Sequence, residues 1–373
     1  MSTPGSRYGG FGLDHLPYGV FSVAGGERRV GVRLGDTVLD LHALTGRAEF
    51  AAPTLNVFLA LGPEVWRQTR EQVGALAADA EGIELADATL HLPFEVADYV
   101  DFYASEHHAA NVGRILRPGQ EPLAPNWRHL PVGYHGRAGT VVASGTPVVR
   151  PAGQRRDPGA EAPVHGPTRQ LDLEAELGFV VGVPSPPGVP VPYAAFSEHV
   201  FGVVGLNDWS ARDIQAWESR PLGPFLGKSF ATSIAAWVTP LAALDAAWCD
   251  LPPQQPRPLD YLGPGHVRGL DVAVEVEVDG EVLTRPRFRD MYWSPAQLLA
   301  QLTSNGAALR TGDLFGSGTI SGPAPDQLGC LLELYAGERF LADGARVVLR
   351  YSAPGTSGAP ITLGEVSGVV RPA

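Results

Sequence analysis

Four carboxylates from three distant segments are the residues of this chain best suited to chemistry: Asp101 in DYVDFYASEHH, Glu174 and Glu176 in LDLEAELGFVVGV, and Asp208 in FGVVGLNDWSARDIQAWE. In the second segment Leu171, Leu173, Ala175 and Leu177 alternate with Asp172, Glu174 and Glu176, the period of a strand with two unlike faces. The run continues into Phe179, Val180 and Val181, a strand entering the core. Carboxylates at the mouth of a buried strand are costly unless positive charge compensates them. A divalent cation is the simplest compensation. Hard oxygen ligands without paired Cys or clustered His point to Mg²⁺ or Ca²⁺ rather than Zn²⁺.

Other polar residues fall where such an ion could be used. Asp101 and Tyr103 lie two apart on a strand end and point the same way, and Ser105 caps the helix that follows. His108 then sits in the first turn of that helix; alone it reads as surface decoration, but beside a cation it becomes a candidate general base. Asp208, Arg212, Gln215 and Ser219 follow helical steps of four, three and four, so they share one stripe. PLGPFLGKSFATS has the wrong glycine spacing for a phosphate-binding loop, yet Lys228 is flanked by Phe225, Leu226 and Phe230. A buried ammonium beside carboxylates stays charged and serves as an electrophile. His129, His135 and His165 lie in loop-like stretches and read as structural or solvated. No nucleophile elbow, zinc-type cysteine spacing or dinucleotide fingerprint is present.

The elements that must position these groups are mainly strands. Residues 18–41 read as a small antiparallel meander, and 54–79 carry a helical period. Beyond 98, short strands alternate with Gly/Pro-rich loops, and helices are expected only near 105–116, 209–219 and 294–304. Asp279-Gly280 marks a hairpin, while 151–168 and 252–266 read as long loops. The expected class is mainly β (α+β), with an N-terminal domain over 1–96 and a larger domain over 97–373. At 373 residues and 44% hydrophobic, both have room for a core. A formal charge of −12 with no basic stripe excludes a nucleic-acid partner. The two cysteines, Cys249 and Cys330, are too far apart in sequence for a disulfide scaffold. With no secretory pattern and no apolar run near the ~20 residues of a membrane span, a cytoplasmic protein is expected.

From FGLDHLPYGVFS to GEVSGVVRP, nearly the whole chain resembles the fumarylacetoacetate hydrolase family, most closely in PNWRHLPVGYHGRAGTVVASGTPV, LNDWSARDIQAWE, PLGPFLGKSFATSI and GSGTISG. The resemblance implies an SH3-like N-terminal barrel, a C-terminal mixed β-sandwich roll and a homodimer. It implies a Ca²⁺ or Mg²⁺ ion held by Asp101, Glu174, Glu176 and Asp208, with a second cation near Lys228 and Thr232. It makes His108 the base, oriented by Glu333 in CLLELY, and Arg212, Gln215 and Lys228 the oxyanion donors. Substrate contacts would fall on Tyr103, Arg117, Tyr134, Gln215, Ser219 and Thr319.

The implied reaction is hydrolysis of a carbon–carbon bond in a β-diketo acid, foremost 4-fumarylacetoacetate to fumarate and acetoacetate in tyrosine and phenylalanine breakdown. Acylpyruvate hydrolases, decarboxylases and hydratases on the same scaffold are the alternative, and a non-catalytic Ca²⁺-binding domain a remoter one. Two runs depart from the family. WEYxPLGPF is WESRPLGPF here, placing Ser219 and Arg220 where a tyrosine is usual, and HHxxNG is QLTSNG, with Gln301 and Leu302 replacing histidines. Both bear on the substrate rather than on the ligands or the base.

Overall fold

The computed structural model describes residues 9–157 and 159–373. Its centre is an antiparallel pair of strands, Ala175–Val181 and Val200–Asp208, in which every residue is buried. Both are runs of Val, Leu, Phe and Gly with little polar surface on either face, so they take the middle of a sheet rather than its edge. Each Val, Leu or Phe side chain removed from water there contributes about 1.5–3 kcal/mol. The alternation expected from Leu171 onward is interrupted. Leu171–Asp172 pairs separately with Ser210–Ala211, and the long strand begins only at Ala175.

Around the central pair runs a sheet of thirteen strands. On one side Trp237–Pro240 links it to the meander Tyr18–Val23, Arg29–Leu34 and Thr37–Asp40. On the other side Leu314–Gly316, Tyr99–Phe102 and Gly133–His135 follow in order. The meander and the helices after it, Asn56–Leu59 and Pro63–Ala77, lie where the periodicity places them. The meander does not close on itself. Tyr18 and Gly19 pair with Val238 and Trp237, so the N-terminal strands extend the central sheet. Among the described residues no sheet closes into a barrel, and the expected SH3-like barrel gives way to a strand-rich mixed α/β arrangement.

A second, five-stranded sheet packs over the first. Its strand Arg346–Pro354 carries Tyr351, whose Oη donates to the Leu206 carbonyl at 3.0 Å. A Cβ at Gly205 would come within 2.3 Å of the Tyr351 ring, so the glycine sets how closely the sheets approach. In that sheet Ala273–Val278 and Glu281–Thr284 are joined by Asp279 and Gly280 at φ of 53° and 85°, the left-handed pair a tight hairpin requires.

The stretch 151–168 is a correction. It holds the hairpin Ala152–Arg155 with Val164–Pro167, which also puts His165 in a strand. The polar, Gly/Pro-rich tip hid two short strands whose inward residues are Gly153, against Ile214, and the buried Arg155, paired with Asp157 at 3.3 Å. Helices Glu106–Leu116, Arg212–Glu218 and Pro295–Thr303 match the expected positions. No described helix is long and apolar enough to cross a membrane.

Candidate active site

Strand ends bring the four expected carboxylates together. Asp101 lies in Tyr99–Phe102, Glu176 in Ala175–Val181 and Asp208 at the end of Val200–Asp208, with Glu174 just before its strand. All four are buried, with ligand oxygens within 4.8 Å of one another. Leu314–Gly316 runs between the strands of Asp101 and Glu176, and a Cβ at Gly316 would sit 2.4 Å from Asp101 Oδ1 and 2.9 Å from Glu176 Oε2. Glycine alone leaves room for both. The Gly318 amide donates to the same two oxygens at 3.1 Å each.

Burial and the Asp208 charge push Asp101 up to about 8, and burial with the Asp101 charge raises Glu176 well above the ordinary carboxylate range. Burial also raises Glu174, but the pull of Lys228 and Arg212 outweighs it and holds that carboxyl low. Like charges at this separation are stable only when protons or a cation neutralise them. The donor set fits a hard divalent ion: four oxygen-bearing side chains with no thiolate, and a buried Glu176 Oε1 that has no hydrogen-bond partner.

Helix Glu106–Leu116 starts at Ser105, whose Oγ accepts from the His108 amide at 3.2 Å. That cap fixes the turn carrying His108. Its Nδ1 lies 2.6 Å from Glu333 Oε2; with Nδ1 donating to that carboxylate, Nε2 is the ring nitrogen left to take a proton, 3.8 Å from Glu174 Oε1. Burial raises Glu333, yet the imidazole and its other donors bring it down to about 2, so it remains a carboxylate. Tyr103 meets the imidazole edge-on at 5.2 Å.

Two buried cations complete the site. Lys228 Nζ contacts Glu174 Oε2 and donates to Asp208 Oδ2 at 3.0 Å, leaving one ammonium proton uncommitted to these carboxylates. Burial lowers Lys228, but Asp208 and Glu174 more than compensate and keep it charged. Arg212 Nη2 lies 2.8 Å from Glu174 Oε1 without the alignment of a hydrogen bond, while Nη1 donates to Gln215 Oε1 at 3.3 Å. Burial lowers Arg212 too, and Glu174 with Asp172 holds it charged.

Asp101, His108, Glu174, Arg212, Gln215 and Lys228 border one cavity of about 450 Å³. Tyr103, Tyr134 and Thr319 border it as well. Tyr134 donates to Asp208 Oδ2 at 2.5 Å, and Thr319 Oγ1 is buried without a partner. Clefts of about 550 and 660 Å³ elsewhere carry no such convergence. Thr232 donates to Asp208 Oδ1 at 2.8 Å and faces a separate void of about 120 Å³ beside Tyr99 and Lys228.

Two expected residues do not border the cavity that holds His108 and Lys228. Arg117 ends its helix and donates to the Pro122 carbonyl at 2.8 Å, and Ser219 ends Arg212–Glu218. Arg220 is exposed, and the apolar rim comes instead from Leu116, Pro221 and Leu222.

Several contributors carried no clear signal in the sequence. Glu333 also accepts from Asn111 at 2.9 Å, from Ser321 at 2.8 Å and from the Cys330 thiol at 3.2 Å. Burial and Glu333 push that thiol up, so it stays protonated. Asn111 was within reach of sequence reasoning, being three residues past His108 on the same helix face. Glu218 accepts from the amides of Phe225 and Gly227 at 2.8 and 2.7 Å, which ties the end of its helix to the loop bearing Lys228.

Comparison with known proteins agrees with this architecture. Residues 98–370 match the family model described as fumarylacetoacetate (FAA) hydrolase C-terminal, and residues 14–93 that described as fumarylacetoacetase N-terminal. The chain is 43% identical to fumarylacetoacetase of Bos taurus over 97% of its length and 96% of the relative. It is 39% identical to that of Oryza sativa subsp. japonica over 100% of its length and 96% of the relative. Among solved structures, a fumarylacetoacetate hydrolase from Exiguobacterium antarcticum superposes with a TM-score of 0.60 at 20% identity, covering 96% of this chain and 100% of that one. Maleylpyruvate hydrolase from Sphingobium, solved with manganese(II) and pyruvate, gives 0.57 at 18% identity over 96% and 100%. With both domains matched and relatives this similar over nearly the full length, the chain belongs to the fumarylacetoacetate hydrolase family.

Proposed function

We propose that this protein hydrolyses 4-fumarylacetoacetate to fumarate and acetoacetate. One observation supports this above all: His108, Arg212, Lys228 and two of the four clustered carboxylates, Asp101 and Glu174, border a single cavity, with Glu176, Asp208 and the His108 partner Glu333 directly behind them. Near-full-length similarity to fumarylacetoacetases points to the substrate.

Asp101, Glu174, Glu176 and Asp208 would hold a divalent cation, with Ca²⁺ and Mg²⁺ both suited to oxygen ligands. When bound, the ion would polarise the oxygens of a β-dicarbonyl and stabilise the leaving enolate. His108 Nε2 takes a proton from water, and Glu333 steadies the imidazolium that forms. The hydroxide adds to the carbonyl carbon next to the alkene. Arg212, Gln215 and the free proton of Lys228 face the oxyanion, a well-aimed donor being worth about 3–4 kcal/mol. The carbon–carbon bond then breaks with its electrons on acetoacetate, and the imidazolium returns the proton to that carbon.

Tyr103, Tyr134 and Thr319 would contact the substrate, and the second expected cation would lie near Lys228 and Thr232. Ser219 and Arg117, set back from the cavity, would act on substrate only through the rim. We assign domains 1–96 and 97–373 and a homodimeric, cytoplasmic protein on the same footing. Incubation with fumarylacetoacetate and with acylpyruvates, followed by product detection, tests the reading. Fumarate and acetoacetate in equal amounts are expected; turnover of acylpyruvates alone would overturn it.

A further inference from the structure

Asp172 does not line the active-site cavity and has no exposed surface. Its carboxylate is nevertheless fully occupied. Oδ1 accepts from the amides of Leu173 and Leu331, both at 2.8 Å. Oδ2 accepts from Arg212 Nε at 2.9 Å and from the Leu332 amide at 3.0 Å. Backbone pairing explains the contact with Arg212. Leu171–Asp172 runs antiparallel to Ser210–Ala211, whose next residue is Arg212. The other partners are the two residues preceding Glu333 in Leu331–Leu334.

One buried carboxylate therefore grips two moving parts of the reaction. It holds the Nε edge of Arg212, so that the Nη groups turn toward Glu174 and Gln215. It also fixes the backbone from which Glu333 reaches His108 Nδ1. We propose that Asp172 is a positioning residue that sets the oxyanion-facing arginine and the base-orienting glutamate in one frame. This rests on the functional reading above. A guanidinium displaced by ~1 Å loses its aim at the oxyanion, and a displaced Glu333 frees the imidazole to turn, so both errors fall on the transition state.

The test compares the parent with D172N, R212A, the double variant D172N/R212A and L331P. In D172N the amide cannot serve all four donors. L331P removes one of them at the first helical position, after a Cys330 already extended at φ −148° and ψ 161°, as a residue before proline requires. Rates are taken per folded chain, and Mn²⁺ binding is measured alongside. We expect kcat of D172N to fall by about 10²-fold with KM and Mn²⁺ affinity within about threefold of the parent, and L331P to fall by on the order of tenfold. D172N/R212A is expected about tenfold below R212A alone, the share carried through Glu333, and well short of the product of the two single losses, because the Arg212 share is already gone.

Parent-like turnover in D172N, fully multiplicative losses in the double variant, or a loss confined to Mn²⁺ affinity would overturn the proposal. So would unfolding of both D172N and L331P, since the tie would then be purely structural. A parent that turns over no dioxo acid would instead sink the functional reading.

Discussion

A buried carboxylate left without a partner costs several kcal/mol, and here four share one small volume. That cost made Asp101, Glu174, Glu176 and Asp208 legible in the sequence, because charged residues running into apolar strands demand an explanation. Lys228 was legible for the same reason. Gly316 was not, since its role depends on two carboxylates arriving from neighbouring strands, which no local pattern records. Gly316→Ala is expected to weaken divalent-ion affinity by about 10–100-fold, the usual range for a residue shaping a metal's surroundings, while the protein still folds. Calorimetric titration with Mn²⁺ measures it. His108→Ala makes the opposite split. Its kcat is expected to fall by about 10²–10⁴-fold with ion affinity unchanged, because the imidazole stands beside the carboxylates rather than among them.

At the scale of elements, short helices set on strand ends do the positioning. The Ser105 cap was readable because a hydroxyl residue before a helical run is a local signal, and it fixed His108 correctly on the first turn. The Lys228 loop is held by a contact no periodicity reveals: Glu218, at the end of one helix, accepts the amides of Phe225 and Gly227. Glu218→Ala is expected to lower kcat/KM for the dioxo acid on the order of tenfold by loosening Lys228, with far-ultraviolet dichroism unchanged. Steady-state kinetics checks it. The hairpin Ala152–Arg155 with Val164–Pro167 escaped notice because its strands are four residues each and its tip is rich in Gly, Pro and charge. Its work is structural, with Gly153 lying against Ile214 of the Arg212 helix.

At the scale of the whole molecule, one sheet carries both ends of the chain's logic. Strand-rich composition gave the class, but an isolated N-terminal barrel did not follow, because pairing of Tyr18 with Val238 depends on residues more than two hundred positions away. His15 marks the same long-range join, with Nε2 2.9 Å from Thr239 Oγ1. Burial, helped by Arg70, pushes His15 down to about 3 from its ordinary 6.5. The folded protein therefore binds fewer protons than the unfolded chain between those values, and stability is lost as pH falls through that window, by up to about 5 kcal/mol from this residue. His15→Asn is expected to flatten the acid side of the stability profile, read as denaturation midpoints between pH 6.5 and 4; an unchanged slope would remove His15 as its cause.

The proposed reaction requires the carboxylate cluster to hold an ion beside His108. Following 4-fumarylacetoacetate consumption by metal-stripped protein, as Ca²⁺ or Mg²⁺ is added back, tests this most directly. Negligible turnover before addition and saturable recovery after it, with fumarate and acetoacetate formed in equal amounts, is the predicted result. Full turnover in the stripped protein would contradict it.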